Sequence, residues 1–321
     1  MIHFDARNKI KLILAGFILA FWSSARPASG DQAPGSGSDP SKPAPLKVVC
    51  TIGMIADIAR SIGGDKVEVA GIMGEGVDPH LYKASPGDVR LMSQADAVFY
   101  NGLHLEGRMA DVLVKMAGRK PTFAVSENID EKLLREPPEF AGHFDPHIWF
   151  NVELWGKAAE RVRDALVQLD PKNREYFEEQ GRKYLQALTA LHQWVKLEIA
   201  QIPRGNRVLI TAHDAFGYFG DAYDIEVMGI QGISTDSEPS LKDINHLVDL
   251  ITARKIKAVF VESSVPRKTV DALIEGCRSR GHEVVVGGQL FSDAMGRSGT
   301  PEGTYEGMIR HNVNTIVSAL K

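Results

Sequence analysis

The tripeptide Asp-Pro-His occurs twice, as Asp78-Pro79-His80 and Asp145-Pro146-His147. Chance alone would give roughly 0.03 copies at this composition, so the repetition points to a purpose. Proline fixes its own φ and keeps the preceding Asp extended. Each tripeptide is therefore a stiff turn that aims an imidazole, with a carboxylate close enough to accept the second ring N–H. Ordinary proline turns are the plain alternative. Two more residues follow apolar runs: His213 in Thr211-Ala212-His213-Asp214, and Asp293 in Leu290-Phe291-Ser292-Asp293. Three neutral imidazoles and one carboxylate suit a divalent first-row ion. A monodentate Asp gives the four-coordinate geometry Zn²⁺ prefers, whereas a bidentate one gives five donors, which Mn²⁺ tolerates better. Protons compete for the same nitrogens, so affinity is expected to collapse as pH falls through the histidine range.

Other polar residues rank lower. His104 and Glu106 follow a strand end and could line a cleft, but a helix start with its charges in solvent is the stronger expectation. Glu262 and Ser263 at another strand end are candidates to support a ligand or form a polar wall. His143 is four residues from His147, but Pro146 argues against a helix there. His192, His246, His282 and His311 are expected at the surface. HExxH, GxSxG, P-loop and GxGxxG motifs are all absent from the sequence. If side chains fill all four metal positions, none is left for an activated water, which favours carriage over catalysis.

These residues need a scaffold that brings distant loops together. From Lys47 the chain alternates β-branched runs with helical patterns. Strands are predicted at 47–52, 67–72, 97–101 and 122–126, with a helix over 151–169. The pattern repeats at 207–212, 225–230, 257–262 and 283–287. Near-continuous apolar strands separated by helices indicate parallel sheets covered on both faces. The expected class is α/β, with two lobes, each a four-stranded mainly parallel sheet flanked by helices. Ser85-Pro86-Gly87-Asp88 and Ser240 to Asp243 read as helix starts. Between the lobes, 171–202 reads as one long linking helix, with Tyr184, Leu188, Leu191, Val195 and Ile199 at helical spacing. A coiled-coil arm would need more heptads than it has. Such a helix resists large hinge motion, so the cleft should close only slightly. In doubly wound sheets ligands bind beyond the carboxyl ends of strands. His80 and His147 from one lobe, and His213 and Asp293 from the other, can therefore converge. The expected lobes are 47–170 and 203–321.

Length and composition agree with this plan. The chain has 321 residues, a size that suits two lobes, and a net charge of −4, which argues against a nucleic-acid binder. Arg7, Lys9 and Lys11 precede an apolar run, Leu12–Trp22, and then a small-residue stretch to Gly30. This is the pattern of a cleaved secretory signal peptide over 1–30, too short to span a membrane. No Cys follows it for lipid attachment. Residues 31–46 read as a flexible tether. The two cysteines, Cys50 and Cys277, are expected as buried thiols.

The stretches GMIADIARSIGG, GVDPHLYKASPGDV, NGLHLEGRM, DPHIWF, LITAHDAFGYF, GIQGISTDSEPS, VFVESSVP and GGQLFSDAMGRSGTPEGTYEGMIRHN resemble the metal-specific solute-binding proteins of bacterial manganese/zinc ABC transporters, the cluster A-I or cluster 9 group, in its TroA-like type. The resemblance implies a periplasmic receptor that delivers Zn²⁺ or Mn²⁺ to a membrane permease, with ligands at His80, His147, His213 and Asp293. In manganese-selective members the position of His213 is typically Glu. Zinc-selective members often carry a His/Asp-rich loop, whereas here Asn128–Phe144 holds only His143. No catalysis is implied, and a monomer is expected. Two other readings use the same residues: a metal-dependent hydrolase, with Asp214 or Glu262 as base, and an adhesion protein with a structural metal.

Overall fold

The computed structural model describes residues 44–321. The signal segment and most of the tether lie outside the described residues. β-Branched runs form the strands and the stretches between them form helices, in strict alternation. The first half runs β1 (Leu46–Cys50), α1 (Gly53–Gly63), β2 (Val67–Gly71), α2 (Pro86–Gln94), β3 (Ala97–Tyr100), α3 (Ala110–Ala117), β4 (Thr122–Ala124) and α4 (Val152–Leu169). Its strands form one parallel sheet in the order β2-β1-β3-β4. Val48, Val49 and Cys50 of β1 and Val98 and Phe99 of β3 are buried, as strands covered on both faces must be.

After a reversal at Asp170-Pro171 comes α5 (Arg174–Ala200). Its 27 residues span about 40 Å at 1.5 Å each. Phe177, Leu188, Leu191, Val195 and Ile199 make its buried stripe, which lies against α4 and α1 of the first half and also touches the C-terminal helix. The long helix is thus a packed spine rather than a free rod.

The second half runs β5 (Val208–His213), α6 (Gly217–Tyr223), β6 (Glu226–Gln231), α7 (Leu241–Arg254), β7 (Ala258–Glu262), α8 (Lys268–Ser279), β8 (Val285–Leu290) and α9 (Tyr305–Leu320). Its strands pair as two parallel ladders, β5–β6 and β7–β8, with β5 beside β7. The single four-stranded ladder expected here is interrupted at that seam. At its carboxyl end a side chain stands in for a strand carbonyl: the His213 N–H donates to Glu262 Oε1 at 2.8 Å.

Helix starts follow the sequence. Ser85 and Ser240 each accept from the backbone N–H three residues on, and Asp88 and Asp243 return the bond. Asn151 caps α4. Cys50 and Cys277 are free and buried, and burial pushes the Cys50 thiol up to about 12. The main apolar cluster includes Val49, Phe99 and Trp155 of the first half together with Leu209, Phe260 and Ile316 of the second. Residues 44–321 therefore cohere as one body.

Candidate metal centre

Each of the four predicted side chains comes from a segment that leaves the carboxyl end of a parallel strand. His80 lies between β2 and α2, His147 between β4 and α4, His213 ends β5, and Asp293 is three residues past β8. The structure brings all four together, with one donor atom from each within 4.8 Å of the others. All four are buried, with exposures of 3%, 0%, 0% and 1%.

The spacing is that of donors around one ion. His80 Nε2 is 3.3 Å from His147 Nε2. Asp293 Oδ1 is 3.3 Å from His147 Nε2, and Asp293 Oδ2 is 3.3 Å from His213 Nε2 and 3.9 Å from His80 Nε2. Four donors at about 2.1 Å from a tetrahedral ion lie about 3.4 Å apart. His213 Nε2 and both Asp293 oxygens are buried without a hydrogen-bond partner. Buried polar atoms normally find one, and a cation at the centre would satisfy all three.

Surrounding groups set the imidazoles. Asp145 Oδ1 lies 2.8 Å from His147 Nδ1 and also accepts the His147 backbone N–H at 2.9 Å. Glu262 Oε2 lies 2.5 Å from His213 Nδ1. A carboxylate at Nδ1 keeps the proton there and leaves the Nε2 lone pair facing inward. His80 departs from the expectation. Asp78 accepts its backbone N–H at 2.9 Å, not its ring N–H, and the other Asp78 oxygen accepts from Thr235 Oγ1 at 2.6 Å. The two Asp-Pro-His turns are alike in backbone and different in what they do for the ring.

Electrostatics divide the site accordingly. Burial, aided by His147 and His213 and opposed by the charge of Asp293, takes His80 down to about 3. Burial also opposes charge on His147, but the hydrogen bond to Asp145 and the charge of Asp293 outweigh it and raise His147 to about 9. His213, though buried, is carried well above its ordinary value by Glu262 and Asp293. Burial would raise Asp293, yet His213 and His147 hold it well below the usual carboxylate range.

Supporting contacts cross between the halves at Trp149 and brace the second half from within. Trp149 Nε1 donates to Ser292 O at 3.0 Å, next to Asp293, and its ring meets the His147 ring edge-on at 5.2 Å. Tyr305 donates to Trp149 O at 2.6 Å. Asn312 of α9 brackets Phe291 with two bonds, donating to its carbonyl and accepting from its N–H. Gly229 of β6 lets the turn after His213 lie close, because a Cβ there would stand 2.4 Å from the Asp214 nitrogen.

Lower-ranked residues sort differently. Glu106 is buried, not in solvent: it accepts from Thr51 Oγ1 and from the N–H groups of Asn101 and Gly102. His104 is exposed and stacks on exposed His143 at 5.1 Å. His192 is buried, with Nδ1 3.1 Å from the Tyr223 hydroxyl, so its surface assignment fails. It lies on the inner stripe of α5, one residue from Leu191, and that register is the signal that places it. His246 is exposed, and His282 and His311 reach backbone carbonyls of Ile256 and Gln289.

The family described as "Zinc-uptake complex component A periplasmic" matches residues 48–319. The manganese-binding lipoprotein MntA of Bacillus subtilis is 51% identical over 276 residues, 86% of this chain and 90% of that protein. The zinc-binding protein TroA of Treponema pallidum is 46% identical over 310 residues, 96% of this chain and 95% of that one. The solved structure of TroA from Treponema pallidum matches with a TM-score of 0.84, covering 86% of this chain and 99% of that chain. The metal ABC transporter substrate-binding lipoprotein FimA of Streptococcus parasanguinis is 34% identical over 322 residues, 98% of this chain and 99% of that protein. Its members are solute-binding receptors, not enzymes, and this chain belongs to the zinc-uptake component A family of periplasmic metal-binding proteins.

Proposed function

We propose that the chain captures one divalent transition-metal ion, Zn²⁺ or Mn²⁺, on His80, His147, His213 and Asp293 and delivers it to an ABC permease. The observation that carries this reading is the buried cluster of three imidazoles and one carboxylate with one donor atom from each within 4.8 Å of the others, in which His213 Nε2 and both Asp293 oxygens have no hydrogen-bond partner. Relatives named for manganese and for zinc both support it, and they leave both ions as candidates. Nitrogen-rich sites bind Zn²⁺ more tightly than Mn²⁺ almost regardless of need, so affinity alone does not name the cargo. The chain would work outside the cytoplasm as a monomer, exported by residues 1–30.

The test is elemental analysis of the protein purified from its own compartment, beside Asp293→Ala prepared identically. One ion per chain in the first and loss of it in the second is the expected result. An unaltered affinity in both Asp293→Ala and His213→Ala rules the assignment out.

A further inference from the structure

The segment between β4 and α4 carries a second polar feature, centred on Arg135. Its backbone N–H donates to the Tyr218 hydroxyl of α6 at 3.0 Å, and that hydroxyl donates to Asp145 O at 2.9 Å. The Asp145 N–H returns to Arg135 O at 2.8 Å. The guanidinium lies 5.9 Å from the centre of the Tyr218 ring and pairs with Asp221 at 2.9 Å through Nη1. Gly217 makes room for it, since a Cβ there would meet the guanidinium carbon at 2.5 Å. Arg135 Nε and Asp145 Oδ2 are both buried without a hydrogen-bond partner, and they face each other at 3.6 Å.

Asp145 therefore has two unlike oxygens. Oδ1 takes both N–H groups of His147, and Oδ2 has Arg135 beside it. A buried carboxylate with an uncompensated oxygen is costly and turns or shifts to find a partner. Any such turn carries Oδ1 away from the imidazole. The far end of the guanidinium reaches Asp221, whose side chain is 70% exposed, at a groove of about 670 Å³ also lined by Arg204, Arg207 and Asp224.

Resting on the proposed metal-binding function, we propose that Arg135 is a positioning residue that holds His147 in its metal-binding orientation through Asp145, linking the buried centre to the surface groove. Groups that orient a metal-bound histidine are worth about 10–100-fold in affinity, and Arg135 acts one step further out, at the lower end of that range.

The test is the rate at which Zn²⁺ leaves the full mature chain for an excess of chelator. Arg135→Ala should release Zn²⁺ about tenfold faster. Arg135→Lys, which keeps the charge and loses the fork, should fall between it and the unaltered protein. Arg135→Gln gives the same reading as the alanine variant if that variant does not fold. Added to Asp145→Asn, Arg135→Ala should change the rate less than about twofold, because the connection is already cut. An unaltered rate in Arg135→Ala or Arg135→Gln, or an effect that survives undiminished beside Asp145→Asn, overturns the proposal. An unaltered chain that holds neither Zn²⁺ nor Mn²⁺ overturns this proposal and the functional reading together.

Discussion

At the scale of single residues, the four inward donors do not have equal support. Glu262→Gln and Asp145→Asn each keep the shape beside an imidazole and remove the charge that orients it. Each should weaken Zn²⁺ binding about 10–100-fold in competition titrations, and loss of a donor itself, as in His213→Ala, should cost more. His213→Glu exchanges an imidazole for a carboxylate and should narrow the preference for Zn²⁺ over Mn²⁺, measured as the ratio of the two dissociation constants. The raised His147 and His213 give a pH signature. A basic group whose folded pKa lies above its unfolded value stabilises below the unfolded value, near 6.5, and that stability is lost as pH rises through the folded value. The metal-free protein should therefore lose stability between about pH 6.5 and about 9. Over the same interval metal affinity should rise, because fewer protons have to leave. With saturating Zn²⁺ the two trends offset each other, so denaturant midpoints should fall with pH without the ion and stay nearly level with it, and parallel slopes would contradict the assignment. The convergence of these four side chains was legible because the repeated tripeptide and the strand-end positions both marked them. Arg135 and Glu106 were not, since their importance lies in carbonyl, hydroxyl and carboxylate partners that no spacing rule brings together.

At the scale of elements, strands and helices were legible because apolar runs and capping residues are local signals. Ser240 and Asp243 show this: the reciprocal bond expected from the sequence is present at the start of α7. Ser240→Ala should cost about 1 kcal/mol in denaturant unfolding and leave metal affinity unchanged. Gly229→Ala should do both kinds of damage, because its methyl would press on the Asp214 backbone and displace His213. The expected result is lower stability together with weaker binding. The seam between β5 and β7 was not legible. Each strand has the apolar pattern of a sheet interior, and nothing in that pattern says that Glu262 takes the place of a ladder partner at the His213 N–H.

At the scale of the molecule, the halves are joined at three depths. The spine α5 contacts α1, α4 and α9. Beside the centre, Trp149 reaches Ser292. At the rim, Thr235 donates to Asp78, and Arg108 pairs with Asp236 at 2.6 Å. The rim contacts are few and partly exposed, so they are the ones that can open first. Thr235→Val should speed metal loss in stopped-flow chelation while barely changing the melting temperature. Trp149 should report occupancy through its emission, and Trp149→Phe should remove most of that signal.

The buried stripe of α5 is packed against α1 and α4 and touches α9. A swinging hinge needs a length of chain free to bend, and this crossing is built into the core instead. Exchange of a bound ion then has to be local, a matter of loops parting at one edge while the two halves keep their mutual bearing.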